Sequence, residues 1–350
     1  MAIREMIAKL VEAQSLRETE AAAAMLDIVE GQATPSQISA FVVGLRMKGE
    51  TAEEIAGLAR IMRRYANAVD AGARGPDGDP TVIDVVGTGG DASGTFNIST
   101  VSAFVAAGAG AKIAKHGNRA VTSGCGTADV LEGLGIAIEL PPAAVATCVR
   151  EAGFGFMFAP IYHPAMRHAV VPRREIGVRT AFNLLGPITN PAGVSAQLTG
   201  VAVKQLTGTI AEVLRLLGSR RALVVHGGDG VDEISITEPT IVFDVRDGQV
   251  DEYEITPESV GLNRAPREAI RGGTLEANLK FVRSVLAGEK GAARDVVLLN
   301  AGAGLIVAGL AQDLADGVAR AAESIDSGAA QSRLDAAVAL STRLKQEAAS

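Results

Sequence analysis

Apolar and polar positions along the chain follow two regimes. Up to about residue 70 the apolar residues recur at helical spacing: residues 21–28 form one face, and Ile38, Phe41, Val42, Leu45 and Met47 form another. Thr34-Pro35-Ser36-Gln37 places an N-cap, a proline at the first helical position and a glutamine at the third, and Thr51-Ala52-Glu53-Glu54 repeats that logic. Several short helices packed together are predicted. Residues 70–80 are rich in Gly, Pro and Asp, lack periodicity and read as a linker.

Beyond the linker the pattern changes. The runs TVIDVV, AKIAK, GFGFMFAP, QLTGVAV and RALVVHG are short and apolar, and helical segments separate them. Strands alternating with helices predict a mainly parallel sheet covered on both faces. TIVFDV and VDEYEI flank Arg246-Asp247-Gly248-Gln249, where Asp-Gly marks a hairpin. From Leu275 onward Ala-rich amphipathic helices return. The expected fold class is α/β: a small α-helical domain plus a large α/β domain with a mainly parallel central sheet covered by helices.

Composition narrows the function classes. With 350 residues, 47% hydrophobic and 21% charged, the chain is an ordinary globular protein. Its net charge of −7 gives no global attraction to nucleic acid or to an anionic membrane, so any anion site must be local. Cys125 and Cys148 are too few for a disulfide framework and match no metal spacing, which fits a reducing cytoplasm. Arg4, Glu5, Lys9 and Glu12 interrupt the N-terminal segment, which argues against a signal peptide. The longest uncharged stretch, 92–111, is broken by Asn, Ser, Thr and Gly, which argues against a membrane span.

Chemistry concentrates in a few places. TVIDVVGTGGD (81–91) reads as a strand and a glycine loop, with a helix following at Asn97, Ser99 and Thr100. Such a loop either cradles a diphosphate with its N–H groups or serves a tight turn for steric reasons alone. The segment from Lys115 to Gly124 gathers two cations, an imidazole, an amide and two hydroxyls, as a phosphate-holding loop requires. Asp232-Glu233 follow a strand and a second glycine loop; they are either a Mg²⁺ carboxylate pair, with Ser99 adding an oxygen, or a solvated acidic turn. Arg173 and Arg174 either clamp a carboxylate or pair with Glu175. His226 reads as structural. No GxxxxGK[ST], GxGxxG with its later acid, HExxH or GxSxG occurs, so kinase, Rossmann dehydrogenase, zincin and serine hydrolase readings lack support.

Taken in order, GTGGD (87–91), FNIST (96–100), the 115–123 loop and Asp232-Glu233 closely resemble the anthranilate phosphoribosyltransferase family. The resemblance includes the helical pattern around Thr34 and Glu53, RTAFNLLGP (179–187) and Asn300-Ala301-Gly302-Ala303. It implies a small helical domain over 1–70, completed by a middle segment near 163–185, a hinge at 70–80 and a large domain over 81–350. It implies a cytoplasmic homodimer formed through the helical domains, with no nucleic-acid or membrane partner. The implied reaction is Mg²⁺-dependent transfer of phosphoribose from phosphoribosyl pyrophosphate to anthranilate, a step of tryptophan synthesis that releases pyrophosphate.

Carried onto matching positions, the resemblance puts Gly87, Gly90, Asp91, Thr95, Asn97, Ile98, Ser99, Thr100, Lys115, His116, Gly117, Asn118, Arg119, Ala120, Val121, Thr122, Ser123 and Thr127 on phosphoribosyl pyrophosphate. It puts Ser99, Asp232 and Glu233 on Mg²⁺, and Gly87, Asn118 and Arg173 on anthranilate. It assigns no residue as a catalytic base, and an uncharged aryl amine needs none. Two departures stand out: Pro172 precedes Arg173 where a small aliphatic residue is usual, which predicts a kink, and Glu238 replaces a usual glycine. The alternative enzyme is a pyrimidine nucleoside phosphorylase of the same fold, against which Asp232-Glu233 and the NIST segment weigh. A catalytically silent homologue is a third reading, against which the intact motifs and acidic charge weigh.

Overall fold

The computed structural model describes residues 2–73, 79, 81–120 and 124–349. Val121, Thr122 and Ser123, and most of the 74–80 linker, lie outside the described residues. Four helices open the chain: α1 (Ala2–Val11), α2 (Glu18–Val29), α3 (Pro35–Lys48) and α4 (Ala52–Tyr65). Both capping boxes form. Thr34 Oγ1 accepts from Gln37 N–H at 3.3 Å while Gln37 Oε1 accepts from Thr34 N–H at 2.9 Å, and Thr51 and Glu54 do the same. Glu54 tolerates complete burial because Leu16 N–H and Lys48 Nζ also donate to its carboxylate.

The rest alternates as its apolar runs require. In chain order come β1 (Val82–Gly87), α5 (Ile98–Gly108), β2 (Lys112–Gly117), α6 (Thr127–Gly133), α7 (Pro142–Thr147), β3 (Phe154–Phe158) and α8 (Ala159–Tyr162). Then follow α9 (Arg167–Ile176), α10 (Phe182–Ile188), β4 (Ala196–Gly200), α11 (Thr207–Leu216), β5 (Arg221–Gly227), β6 (Thr240–Arg246) and β7 (Gln249–Ile255). Helices α12 (Leu275–Leu286), α13 (Ala292–Val307), α14 (Leu314–Asp326) and α15 (Ala329–Ala349) close the chain.

The seven strands form one sheet in the order β3-β2-β1-β4-β5-β6-β7. The first five are parallel, and β6 and β7 extend the sheet as an antiparallel hairpin. The hairpin turns on Asp247 and Gly248 at φ +53° and +77°, the pair of left-handed residues a two-residue turn needs. At the two edges, β3 is wholly buried, whereas Asp251, Glu252 and Glu254 of β7 are exposed.

Helices α5, α6 and α12–α15 cover one face of the sheet, packing on Ile83, Val85, Leu198 and Val225. On the other face Ala222, Val224 and Val245 share a cluster with α11 and with the N-terminal helices. Helices α9 and α10 return to those first helices: Ala169, Phe182, Leu185 and Ile188 pack in the same cluster as Met25, Phe41 and Met62. The local bias of Val171 away from helix is not followed here. Helix α9 continues through Pro172, and Val171 stays helical. Pro172 is itself buried, so tertiary packing outweighs the local bias of roughly 3 kcal/mol against an interior proline.

Candidate active site

From β1 the chain steps outward to β2 and β3, then returns to β4 on the other side of β1. Strands β1 and β4 therefore flank the topological switch point, where α/β sheets open a crevice beyond the carboxyl ends of their strands. The candidate loops start there: Gly87 ends β1, Gly117 ends β2, and Gly227 ends β5 ahead of the acidic turn.

That acidic turn lies directly across β1 and β4. A Cβ on Gly87 would overlap Asp232 Oδ2, and one on Gly200 would overlap the Asp232 carbonyl oxygen, so both glycines are needed for the turn to sit. Asp232 Oδ2 accepts from Gly89 N–H at 2.6 Å, and Glu233 Oε1 accepts from Ser99 N–H at 3.2 Å. Asn300 clamps the next residue from α13: its Oδ1 accepts from Ile234 N–H at 2.9 Å and its Nδ2 donates to the Ile234 carbonyl at 3.0 Å. Asp232 and Glu233 are half-buried, held toward β1 and α5 by these bonds.

Lys115 lies beneath this turn, 1% exposed, donating to the Val85 carbonyl at 2.5 Å and to Ser99 Oγ at 3.2 Å. Burial pulls its ammonium down, and the nearby Asp84 and Glu233 pull it back up. Asp84, buried and receiving Asn190 Nδ2 at 2.7 Å, is raised to about 6 by burial, against which Lys115 acts. Burial raises Asp232 to about 7, with repulsion from Asp91 adding to it, and burial followed by Asp232 pushes Glu233 well above the usual carboxylate range.

Two desolvated acids beside a single buried lysine are short of positive charge, and that deficit is what a hard divalent cation relieves. Among the described residues no three His, Cys, Asp or Glu side chains form a ready cage. Mg²⁺ does not need one, because it usually takes one or two carboxylates and completes its shell with water and substrate phosphate. The donor set Asp232, Glu233 and Ser99 fits.

The first glycine loop is built for close approach. Gly89 and Gly90 take φ +67° and +70°. Arg179, from the link between α9 and α10, donates Nη2 to the Gly89 carbonyl at 2.7 Å and Nη1 to the Gly90 carbonyl at 2.6 Å. Asp91 Oδ1 accepts from Ser93 N–H at 3.1 Å, and Ser93 and Thr95 hydroxyls meet at 3.0 Å. Asn97 Oδ1 accepts from both Thr100 and Thr127 hydroxyls, which brings the two loops together. Ile98 is 1% exposed, so its side chain belongs to the core and only its backbone faces the loop's neighbours.

In the second loop the cations separate. Arg119 is committed to Asp129 and Glu132 of α6, at 2.8 and 3.0 Å, and lies over the Phe158 ring. Ala120 N–H likewise donates to Asp129. Neither group is offered to the crevice. Asn118 keeps an exposed side chain that accepts from Arg119 N–H. His116 Nδ1 donates to the Gly186 carbonyl at 3.0 Å, and its ring meets His163 edge-on at 4.9 Å. Sequence reasoning gave no site role to His163 or Gly200, nor to Arg179 and Asn300, which it placed only in segments carrying the resemblance. His226 is structural, bonded to the Val201 carbonyl at 2.7 Å.

Arg173 forms no ion pair with Glu175; among the described residues its guanidinium has no partner. Surrounding protein lowers its basicity while the residue stays solvent-exposed, the combination expected of a cation in an open cleft.

Family models match both parts of the chain: residues 4–66 fit the helical bundle domain of a glycosyl transferase family, and residues 79–331 fit its a/b domain. The anthranilate phosphoribosyltransferase of Desulfotalea psychrophila is 52% identical over 340 residues, covering 97% of each chain. The crystal structure of that enzyme from Thermus thermophilus superposes with a TM-score of 0.89 at 44% identity, covering 96% of this chain and 99% of that one. The Saccharomyces cerevisiae enzyme, solved in complex with phosphoribosyl pyrophosphate and Mg, gives a TM-score of 0.85 at 28% identity and covers 97% of this chain and 98% of its own. With the crevice, the acidic turn and both glycine-rich loops in place over nearly its whole length, the chain belongs to the anthranilate phosphoribosyltransferase family.

Proposed function

We infer that this chain is a pentosyltransferase that moves phosphoribose from phosphoribosyl pyrophosphate to the amine of anthranilate in a Mg²⁺-dependent reaction, giving N-(5-phosphoribosyl)anthranilate and pyrophosphate. The observation that carries this reading is the convergence of Asp232 and Glu233 on the N–H groups of Gly89 and Ser99 at the switch point, with Lys115 beneath.

Diphosphate takes the first loop from Gly87 to Asp91, with Thr95, Asn97, Ser99 and Thr100 beside it and Lys115, Asn118 and Thr127 completing the site. Asp232, Glu233 and Ser99 would hold Mg²⁺, which neutralises charge building on the departing pyrophosphate. Anthranilate takes the side of Arg173 and Asn118, its carboxylate on the unpaired guanidinium. The uncharged amine then faces the anomeric carbon of the ribose, the C–N bond forms as the C–O bond breaks and its electron pair leaves with pyrophosphate, and the protonated nitrogen gives up one proton to pyrophosphate or water. Positioning and charge neutralisation carry the rate.

A homodimer through the helical part and a cytoplasmic location belong to the same proposal. Val11, Met47, Val170 and Val171 are exposed on α1, α3 and α9, an apolar surface that a second copy would cover. No helix among the described residues is long and apolar enough to cross a membrane, and both cysteines are free thiols.

Loss of anthranilate fluorescence on mixing with phosphoribosyl pyrophosphate and Mg²⁺, against other aromatic acids as controls, tests the activity. Persistent fluorescence with folded protein overturns it. Sedimentation of the wild type and Met47→Lys tests the dimer.

A further inference from the structure

We propose that Arg179 is a positioning residue for the donor substrate: its guanidinium holds two consecutive carbonyls of the first glycine loop so that the N–H groups of Gly90 and Asp91 turn toward the diphosphate. This rests on reading that loop as the phosphoribosyl pyrophosphate site.

The geometry is that of a fork. Nη2 takes the carbonyl of Gly89 and Nη1 that of Gly90, at 2.7 and 2.6 Å. In a planar trans peptide the C=O and the N–H point to opposite sides. Drawing the Gly89 oxygen toward Arg179 therefore turns Gly90 N–H away from it, and drawing the Gly90 oxygen does the same to Asp91 N–H. Neither N–H donates to any of the described residues. Two successive free N–H groups beside left-handed residues form an anion-binding concavity, and both Gly89 and Gly90 are left-handed.

Gly90 also has to be glycine for the fork to reach it. A Cβ there would stand 2.7 Å from Nη1. The arrangement calls for arginine in particular, because a guanidinium presents parallel N–H donors on two separate nitrogens with a fixed charge; an ammonium carries the charge without the fork, and a carboxamide offers a single nitrogen without the charge. Arg179 further sits in the link between α9, which bears Arg173, and α10, whose Gly186 carbonyl receives His116. One side chain thus ties the donor loop to the segment proposed to hold the acceptor.

The test compares the full-length wild type with Arg179→Lys and Arg179→Gln. Calorimetric titration with inorganic pyrophosphate and Mg²⁺ is set beside KM for each substrate and a thermal melt. Pyrophosphate affinity should fall roughly tenfold or more in both variants, as expected for losing charge-assisted hydrogen bonds that orient the donors. KM for phosphoribosyl pyrophosphate should rise in parallel, while KM for anthranilate at saturating donor moves far less.

Wild-type pyrophosphate affinity in folded Arg179→Gln overturns the proposal. Full restoration by Arg179→Lys overturns it too, because charge alone would then suffice. If the glutamine variant melts early, the lysine variant decides, since its stem preserves the packing. A wild type that neither binds pyrophosphate nor consumes anthranilate would sink the functional reading itself, an outcome no Arg179 variant can mimic.

Discussion

The carbonyl oxygen of Asp232 occupies the place where a side chain on Gly200 would begin. A residue in the middle of the sheet thereby fixes the height of the acidic turn above it. Gly200→Ala should displace the turn, abolish most turnover and lower the melting temperature by several degrees, an overpacking cost of roughly 1–3 kcal/mol. A crystal structure or melt of the variant checks this, and normal activity would mean that the turn is not seated by Gly200.

The carboxylates above that seat lose energy in the unliganded protein. Asp232→Asn with Glu233→Gln should remove most activity while leaving the melting temperature unchanged or higher, since burial penalises both charges and neighbouring carboxylates, Asp91 for Asp232 and Asp232 for Glu233, add repulsion. The variant should also lose the thermal stabilisation that Mg²⁺ with pyrophosphate confers on the wild type. Turnover close to normal would remove these residues from the metal.

Gly90→Ala places a methyl group against Arg179 Nη1 and asks alanine to adopt φ +70°. The left-handed conformation costs about 1–2 kcal/mol, and the displaced guanidinium releases the loop. Affinity for phosphoribosyl pyrophosphate should drop sharply, while the melt falls by only the few degrees that this strain costs. The reverse pattern, a lower melt with intact affinity, would assign Gly90 to the fold alone.

Arg173→Ala should raise KM for anthranilate far more than KM for phosphoribosyl pyrophosphate. A lost charge-assisted hydrogen bond is worth about 1.5–3 kcal/mol, or roughly 10- to 150-fold in affinity. Equal losses for both substrates would indicate that α9 has moved as a whole.

The buried pair His116 and His163 makes acid pH costly. Burial, followed for His163 by its neighbour His116, lowers His116 to about 4 and His163 to about 3 from an ordinary 6.5. The unfolded chain therefore binds more protons below pH 6.5, so the stability these neutral rings preserve is complete above 6.5 and falls as pH drops toward 4. Asp84 and Asp232, raised to about 6 and 7, act in the opposite sense, because the folded state holds their protons more tightly. The difference between wild type and His163→Gln isolates the imidazole: the variant should lose less stability between about pH 7 and 4.5, by an amount on the order of 2 kcal/mol. Parallel melting curves across that range would contradict the assignment.

What the sequence made legible was local. Caps at Thr34 and Thr51 depend on residues three positions away, the Asp247-Gly248 hairpin on two adjacent left-handed residues, and each strand on a short apolar run ended by a turn. The candidate loops could be located for the same reason. Contacts set by the folded chain stayed hidden. Arg179 meets Gly89 and Gly90 about ninety positions away in sequence, and Gly200 reads as an ordinary strand glycine until Asp232 lies on it. The reach of Arg119 toward α6 rather than the crevice depends on where helix packing places Asp129 and Glu132. The helix through Pro172 likewise reflects a buried site that no local rule describes.

The hairpin that completes the sheet has one more consequence. An unprotected edge strand offers a row of free N–H and C=O groups to any other strand in solution, and a seven-stranded sheet has two such edges. At β3 the edge is buried, while at β7 it is open and carries Asp251, Glu252 and Glu254. Two β7 edges approaching each other would bring six carboxylates together before a single ladder bond formed. Like-charge repulsion at the outermost hairpin thus disfavours edge-to-edge polymerisation, and neutralising its acids should lower solubility at high concentration.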